Sequence, residues 1–254
     1  MRVCIIGRNI GYTLSPELYH RLWEELGEEH AFEVCDISDL RPFMREVRSG
    51  TSPVRGFTVT SPYKEAVLPF LDDLTEEART VGMANTVHIT PDRKLIGHNT
   101  DTFGFVHALP RFPFCKKESA LVLGTGGASK AVRLGLEKLG IPFSTVSRTV
   151  SDSGERILKY SDIDSLAPFT HIINATPVGS VKLPRQLPPL PYETVRPGTV
   201  FFDLNYAPRI TPFMEEGLKQ GAVAQDGLAM LTAMISGAKG AQWSFLKEGP
   251  KSLL

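Results

Sequence analysis

The sequence predicts an α/β protein: an N-terminal α/β block, then a doubly wound parallel sheet, then a C-terminal helix. Three observations carry that expectation. Short runs of branched and aromatic residues alternate with amphipathic runs along almost the whole chain, the pattern of helices laid on a parallel sheet. A turn of small residues, Gly124-Thr125-Gly126-Gly127, follows one strand-like run and opens a helix-like one. A last apolar run, Gly227 to Leu246, carries Leu228, Leu231, Ile235, Ala238 and Trp243 at helical spacing. If it packs back on the first block, the chain crosses between two domains twice.

The elements follow in order. Arg2–Ile6 is a strand by its branched residues, and Ser15-Pro16-Glu17 opens a helix whose Leu18, Leu22 and Leu26 share a face. Ala31–Ile37 reads as a strand, Leu40–Val47 as a helix ended by Gly50, and Gly56–Thr60 as a strand. Thr75-Glu76-Glu77 starts a helix with acids in its first turn. Asn85–Ile89 and Lys94–Gly97 flank Pro91-Asp92-Arg93 as a hairpin. After a helix over Thr102–Leu109, strands follow at Ala120–Leu123, Pro142–Ser147, His171–Asn174 and Val200–Asp203, with a helix over Gly127–Leu139 closed by Gly140. Ser180 to Gly198 is proline-rich and reads as a long surface loop.

The bulk numbers narrow the function classes. The chain has 254 residues, 42% hydrophobic and 22% charged, so it sits with ordinary soluble globular proteins of one large domain or two small ones. Lys+Arg and Asp+Glu are both 28, without the basic excess of a nucleic-acid binder. No apolar stretch reaches the ~20 residues that span a bilayer, and the first apolar run is too short for a signal-peptide core. Cys4, Cys35 and Cys115 form no paired framework, and the six histidines show no metal-ligand spacing, so no metal is expected. A reducing cytoplasm fits best. His20 and His98 lie near polar segments but read as structural.

The chemistry concentrates in short polar segments. Small residues at Gly124 to Ala128 let backbone amides approach a pyrophosphate, and the helix N-terminus draws its charge. The third glycine of the usual fingerprint falls at Ser129, so alone the match equally fits a plain strand–helix turn. The next strand ends Ser147-Arg148-Thr149 with no acid at its tip. An acid there would bind the ribose of NAD, whereas arginine pairs with a 2′-phosphate, so NADP is favoured. Lys64 and Asp101 are the candidate acid–base pair: a lysine beside a carboxylate can hold a ketone oxygen and move a proton. A surface ion pair is the ordinary fate of such residues, but Thr60, Asn85, Asn99 and Thr100 keep it company at strand ends, where ligands gather in α/β sheets. Ser15, followed by Pro16, is explained as a helix N-cap, and with Thr13 it stays a candidate for a ligand.

Taken in order, Ser15-Pro16, Val59-Thr60-Ser61-Pro62-Tyr63-Lys64, Ala84-Asn85-Thr86, Gly97-His98-Asn99-Thr100-Asp101, Gly124-Thr125-Gly126-Gly127-Ala128, Ser147-Arg148-Thr149, Asn174-Ala175-Thr176, and Asp203 with Tyr206, Pro208 and Thr211 resemble the shikimate dehydrogenase family. These are NADP-dependent enzymes of the shikimate pathway to chorismate and the aromatic amino acids. The resemblance covers nearly the whole chain. It implies a substrate-binding domain over 1–101, completed by 228–254, and an NADP-binding Rossmann domain over 102–227. It implies that Lys64 is the acid–base residue with Asp101 in support, and that Thr13, Ser15, Thr60, Asn85, Asp101 and Tyr206 surround the substrate. Gly124, Thr125, Gly126, Gly127, Ala128, Ser147, Arg148 and Thr149 would hold NADP, with Leu204 and Gly227 beside the nicotinamide.

Several positions depart from the family. Thr13 stands where a serine is usual, Thr58 where an asparagine is usual, and Tyr19-His20 where His-Asn is usual. The largest departure is Met234, in place of a glutamine whose amide would bond a substrate hydroxyl. The expected activity is reversible reduction of 3-dehydroshikimate to shikimate, a small-molecule reaction. A quinate or aminoshikimate dehydrogenase and a non-catalytic NADP-binding relative are the rivals, and monomer and homodimer both stay open.

Overall fold

The computed structural model describes residues 1–110, 118–149, 157–236 and 241–250. It forms two compact units, Met1–Asp101 with Leu231–Leu254, and Thr102–Met230. Cys115 and Ala238 lie outside the described residues.

The first unit runs β1 (Arg2–Gly7), α1 (Ser15–Leu26), β2 (Ala31–Asp36), α2 (Leu40–Ser49), β3 (Gly56–Val59), α3 (Tyr63–Ala66), β4 (Asp73–Leu74), α4 (Glu76–Val81), β5 (Thr86–Ile89) and β6 (Leu95–His98). The sheet order is β2-β1-β3-β5-β6-β4. β1 pairs in parallel with both β2 and β3, while β5 runs antiparallel to β3 and to β6, as the expected hairpin requires. Ile6, Met44, Phe57, Val59 and Leu95 lie in its core. On α1 the buried stripe takes Leu18, Tyr19, Leu22 and Trp23. Leu26, expected on that face, is exposed, because the helix stops at Gly27 in a left-handed cap before another turn can return to the core.

The second unit runs α5 (Asp101–Ala108, which begins on the last residue of the first unit), β7 (Ala120–Leu123), α6 (Gly127–Lys138), β8 (Phe143–Ser147), β9 (Ile157–Lys159), β10 (His171–Asn174), β11 (Val200–Asp203), α7 (Pro212–Lys219), β12 (Val223–Gln225) and α8 (Gly227–Ser236, which ends in the first unit). Its six strands lie in the order β12-β11-β10-β7-β8-β9, and every pairing is parallel. Read from β9, this is the doubly wound order 3-2-1-4-5-6, whose direction reverses between β7 and β10. The three central strands β7, β10 and β11 are buried along their whole length, and branched and aromatic residues dominate them. The segment Ser180 to Gly198 is not only a surface loop: Leu190, Tyr192 and Val195 enter the core, around a short 3-10 turn at Tyr192–Thr194.

The described residues of the C-terminal apolar run form α8 and α9 (Ala241–Glu248). α9 packs on its unit's sheet, where Leu246 lies against Gly56 and its carbonyl bonds His88 Nδ1 at 3.0 Å. No described helix is long and apolar enough to cross a membrane.

Close packing in the second unit makes one substitution diagnostic. A Cβ on Gly217 of α7 would sit 2.6 Å from the Phe201 ring, and such overpacking costs about 1–3 kcal/mol. Gly217→Ala should lower the urea midpoint accordingly, and an unchanged midpoint would show that the ring yields freely.

Candidate active site

Strand register gathers the candidate residues of the first unit. The C-terminal end of β3 faces the N-terminal end of β5, which faces the C-terminal end of β6, with Thr58 opposite Thr86 and Thr86 opposite His98. Val59 N–H donates to the Asn85 carbonyl and Asn85 N–H to the His98 carbonyl. Thr60, Asn85 and the run Asn99–Asp101 therefore emerge at one edge of one sheet. α3 follows β3 directly and carries Lys64, whose carbonyl accepts from Ala84 N–H at 3.0 Å.

At that edge Lys64 Nζ donates to Asp101 Oδ2 at 2.6 Å. The lysine side chain keeps 21% of its surface open, while the Asp101 side chain keeps 2%. The ammonium thus faces outward and the carboxylate is the enclosed partner. Asn85 Nδ2 donates to Asp101 Oδ1 at 2.9 Å and to the Thr100 hydroxyl at 3.0 Å. The Asn85 Oδ1 accepts from the Thr100 N–H at 3.0 Å and the Thr86 hydroxyl at 2.9 Å. All of the amide's hydrogen-bonding capacity is engaged. Asn99 Oδ1 accepts from the Asp101 N–H and so anchors the start of α5. Thr13 donates to the Ser15 hydroxyl at 3.1 Å. A Cβ at Gly7 would strike Thr60 and Ile10, so the chain leaving β1 runs tightly beside Thr60.

The expected N-cap at Ser15 is not formed. Leu14 holds the cap position, no side chain caps α1, and Ser15 is already the first helical residue. Pro16 fixes a helical backbone one residue earlier than the Ser-Pro pair suggests. The buried Ser15 hydroxyl is bonded to Thr13 instead.

The second unit holds the remaining candidate residues. Gly124 leaves β7 with φ +100, a conformation that favours glycine, and a Cβ there would strike Thr176 beyond β10 at 2.8 Å. A Cβ on Gly126 would meet nothing within 4 Å, and no side chain caps α6 at this end. Open space over an uncapped helix N-terminus at the switch point fits a pyrophosphate. Thr125, Gly127 and Ala128 continue that turn. Ser129, where a third glycine was expected, is fully buried, and its hydroxyl has no partner. At the end of β8, Ser147 is buried while Arg148 and Thr149 are exposed. Leu204 lies directly against Gly227, whose N–H donates to the Asn205 carbonyl at 3.0 Å.

Tyr206 lies in the same unit, half-buried on the loop after β11. That loop is tied down by Asp203, which accepts from Thr211, Asn205 and Asn174. Burial raises the Asp203 carboxyl to about 6 against the pull of those donors.

One residue bonded to this network escaped the sequence reading. Gln242, on α9, donates to the Thr86 hydroxyl at 3.0 Å and accepts from the Tyr19 phenol at 2.9 Å. No motif flags Gln242. Among the described residues no cluster of three His, Cys, Asp or Glu is placed to hold a metal.

The shikimate dehydrogenase substrate binding domain matches residues 5–87. A shikimate dehydrogenase (NADP(+)) of Clostridium botulinum is 30% identical over 237 residues, 89% of this chain and 90% of that protein. One from Pyrococcus furiosus is 33% identical, over 89% of this chain and 84% of its own length. Among solved structures, the shikimate 5-dehydrogenase of Thermus thermophilus, in complex with NADP(H) and shikimate, superposes with a TM-score of 0.82 at 31% identity, over 97% of this chain and 93% of that one.

The edge also holds a pH-sensitive group. The His98 ring is stacked on Phe245 at 4.6 Å, with Nδ1 2.8 Å from the Thr75 hydroxyl. Burial lowers its pKa from 6.5 to about 4, with the Glu77 carboxylate opposing. The unfolded chain takes up this proton near pH 6.5 and the folded chain only near 4. Stability from the neutral ring is thus full above that window and is lost as pH falls through it, by on the order of 3 kcal/mol. Urea unfolding from neutral pH down to about pH 4 should show this decline in the wild type and lack it in His98→Gln. Parallel declines in both proteins would rule the histidine out.

Proposed function

The chain belongs to the shikimate dehydrogenase family, and we propose that it catalyses the reversible NADP-dependent reduction of 3-dehydroshikimate to shikimate. The observation that carries this reading is the 2.6 Å contact between Lys64 and Asp101, drawn from stretches 37 residues apart. Bound NADPH supplies the hydride for the ring carbonyl carbon. Lys64 Nζ gives a proton to the carbonyl oxygen as it becomes an alcohol and takes it back in the reverse direction. Asp101 holds Nζ through Oδ2, so that the ammonium meets the oxygen in one orientation.

On this reading Thr13, Ser15, Thr60 and Asp101 meet the substrate hydroxyls, with Asn85 acting at the same edge as Asp101, and Tyr206 is a further substrate residue. Gly124, Thr125, Gly126, Gly127 and Ala128 take the pyrophosphate on the N-terminus of α6. Ser147, Arg148 and Thr149 take the 2′-phosphate, for which a guanidinium is well shaped, and Leu204 and Gly227 border the nicotinamide. We assign 1–101, completed by 228–254, to substrate and 102–227 to NADP. The division into compact units supports that assignment. The unpaired thiols Cys4 and Cys35 support a reducing cytoplasm as its compartment.

Met234, buried and without an amide, favours a second reading in which quinate or an aminated analogue is the better substrate. Comparing kcat/KM for shikimate, quinate and the amino analogue decides it, and a clear preference for shikimate removes the second reading. NADPH oxidation with 3-dehydroshikimate tests the activity itself, and its absence would leave a binding protein.

Lys64→Ala and Asp101→Asn should each lower kcat by about 10²–10⁴-fold with nucleotide binding retained. Wild-type turnover by a folded Lys64→Ala enzyme would remove Lys64 from the mechanism. Arg148→Ala should raise KM for NADP+ about tenfold to a hundredfold and leave KM for NAD+ unchanged. Equal effects on both nucleotides would take the arginine away from the 2′-phosphate.

A further inference from the structure

We infer that Gln242 is a positioning residue for the active-site edge, setting the direction of a buried hydrogen-bond chain that ends on Asp101. The inference rests on the proposed activity and extends it to a residue outside the motifs quoted above.

The direction follows from one obligate donor. The Thr100 backbone N–H can only donate, and it donates to Asn85 Oδ1 at 3.0 Å. That fixes the Asn85 amide, so its NH2 group must face Asp101, where it donates to Oδ1 at 2.9 Å. The Thr86 hydroxyl also points at Asn85 Oδ1, and its single proton is used there. Thr86 must therefore accept from its other neighbour, Gln242 Nε2, at 3.0 Å. The Gln242 amide is oriented in turn, and its Oε1 accepts from the Tyr19 phenol at 2.9 Å. A weaker contact from Gln242 Nε2 reaches the Thr100 hydroxyl at 3.4 Å.

Each member is buried, so water offers no substitute partner and a wrong orientation anywhere leaves an orphaned polar group. With the chain intact, Asp101 accepts from Asn85 on one oxygen and from Lys64 on the other. With Gln242 removed, Thr86 is free to turn its proton away and the Asn85 amide loses a donor. Gln242 is fully occupied within this chain, so it does not stand in for the glutamine absent at Met234. It acts through Asn85. Tyr19 stands where the family usually has histidine, so that departure and Gln242 are joined by a hydrogen bond.

The test compares Gln242→Leu, Gln242→Glu and Tyr19→Phe with the wild type. Gln242→Leu should lower kcat/KM for shikimate about tenfold and leave KM for NADP+ unchanged. Gln242→Glu keeps the shape but removes the donor, so it should lose at least as much. Tyr19→Phe deletes only the phenol oxygen and should lose about threefold. In an Asn85→Ala background, Gln242→Leu should cause no further loss. The Asn85 side-chain amide signal in a two-dimensional NMR spectrum should shift in Gln242→Leu and in Tyr19→Phe, and this holds whatever the substrate. A variant with a lowered melting temperature but unmoved kinetic constants and an unmoved Asn85 signal would overturn the inference. So would a Gln242→Leu loss that persists in full without Asn85. Failure of the wild type to oxidise shikimate would instead overturn the proposed activity, and the NMR comparison would still judge Gln242.

Discussion

The burial of the Asp101 carboxylate is the constraint around which the first unit is organised. A carboxylate with 2% of its side chain exposed is tolerable only if both oxygens are occupied, because an unpaired buried charge costs far more than any hydrogen bond returns. The antiparallel register of β3, β5 and β6 satisfies this need. It sets the ends of three strands side by side, so that Lys64, Asn85 and Asp101 converge although no two are close in sequence. A one-residue slip of β5 would turn Asn85 to the other face of the sheet and leave Asp101 Oδ1 bare. Sheet register and site geometry are therefore one property here.

The second unit meets a different constraint: small residues where two strands diverge. Gly124 is pressed between a backbone conformation that side chains avoid and the Thr176 methyl group, so glycine is required by the fold at that point. Gly126 is under neither pressure, since a Cβ there would project into open space. Packing within the unit therefore does not demand glycine at 126, and on the proposed reading the room there is taken by the pyrophosphate. The two glycines of one motif thus answer to different demands.

Much of this was legible in the sequence because it depends on local signals. Strand–helix alternation, the Thr75 cap, which accepts from the Ala78 N–H, and the hairpin at Pro91-Asp92-Arg93 all rest on neighbours within a few residues. What escaped depends on distance or on brevity. β9 and β12 have three residues each, too few to show a period, and they exist because a paired edge lies beside them. The Ser15 cap failed because the cap position depends on the backbone of Leu14, which a Ser-Pro pair does not reveal. Gln242 was invisible because its partners lie 156 and 223 residues away, and a lone glutamine on a terminal helix carries no pattern.

The departures from the family pattern fall into two physical kinds. Tyr19 lies wholly inside the protein, and its polar atom is satisfied by Gln242, so the change is absorbed by packing and by the hydrogen-bond chain that leads to Asp101. Met234 is different. It removes an amide that Gln242 does not restore, since the Gln242 amide is consumed by Thr86 and Tyr19. A substrate hydroxyl that such an amide would meet must then be held by other groups or by water. On the proposed reading, the burden falls on the hydroxyls of Thr13 and Ser15, at the start of α1, and of Thr60, at the strand edge that carries the acid–base pair. A hydroxyl accepts and donates with a rotatable proton, whereas an amide presents fixed donor and acceptor sides. Exchanging one for the other relaxes the discrimination between a ring hydroxyl and a ring amine while leaving proton transfer at Lys64 untouched. On that reading Thr13, Ser15 and Thr60 tune selectivity apart from the proton transfer at Lys64, and Asp101 alone serves both.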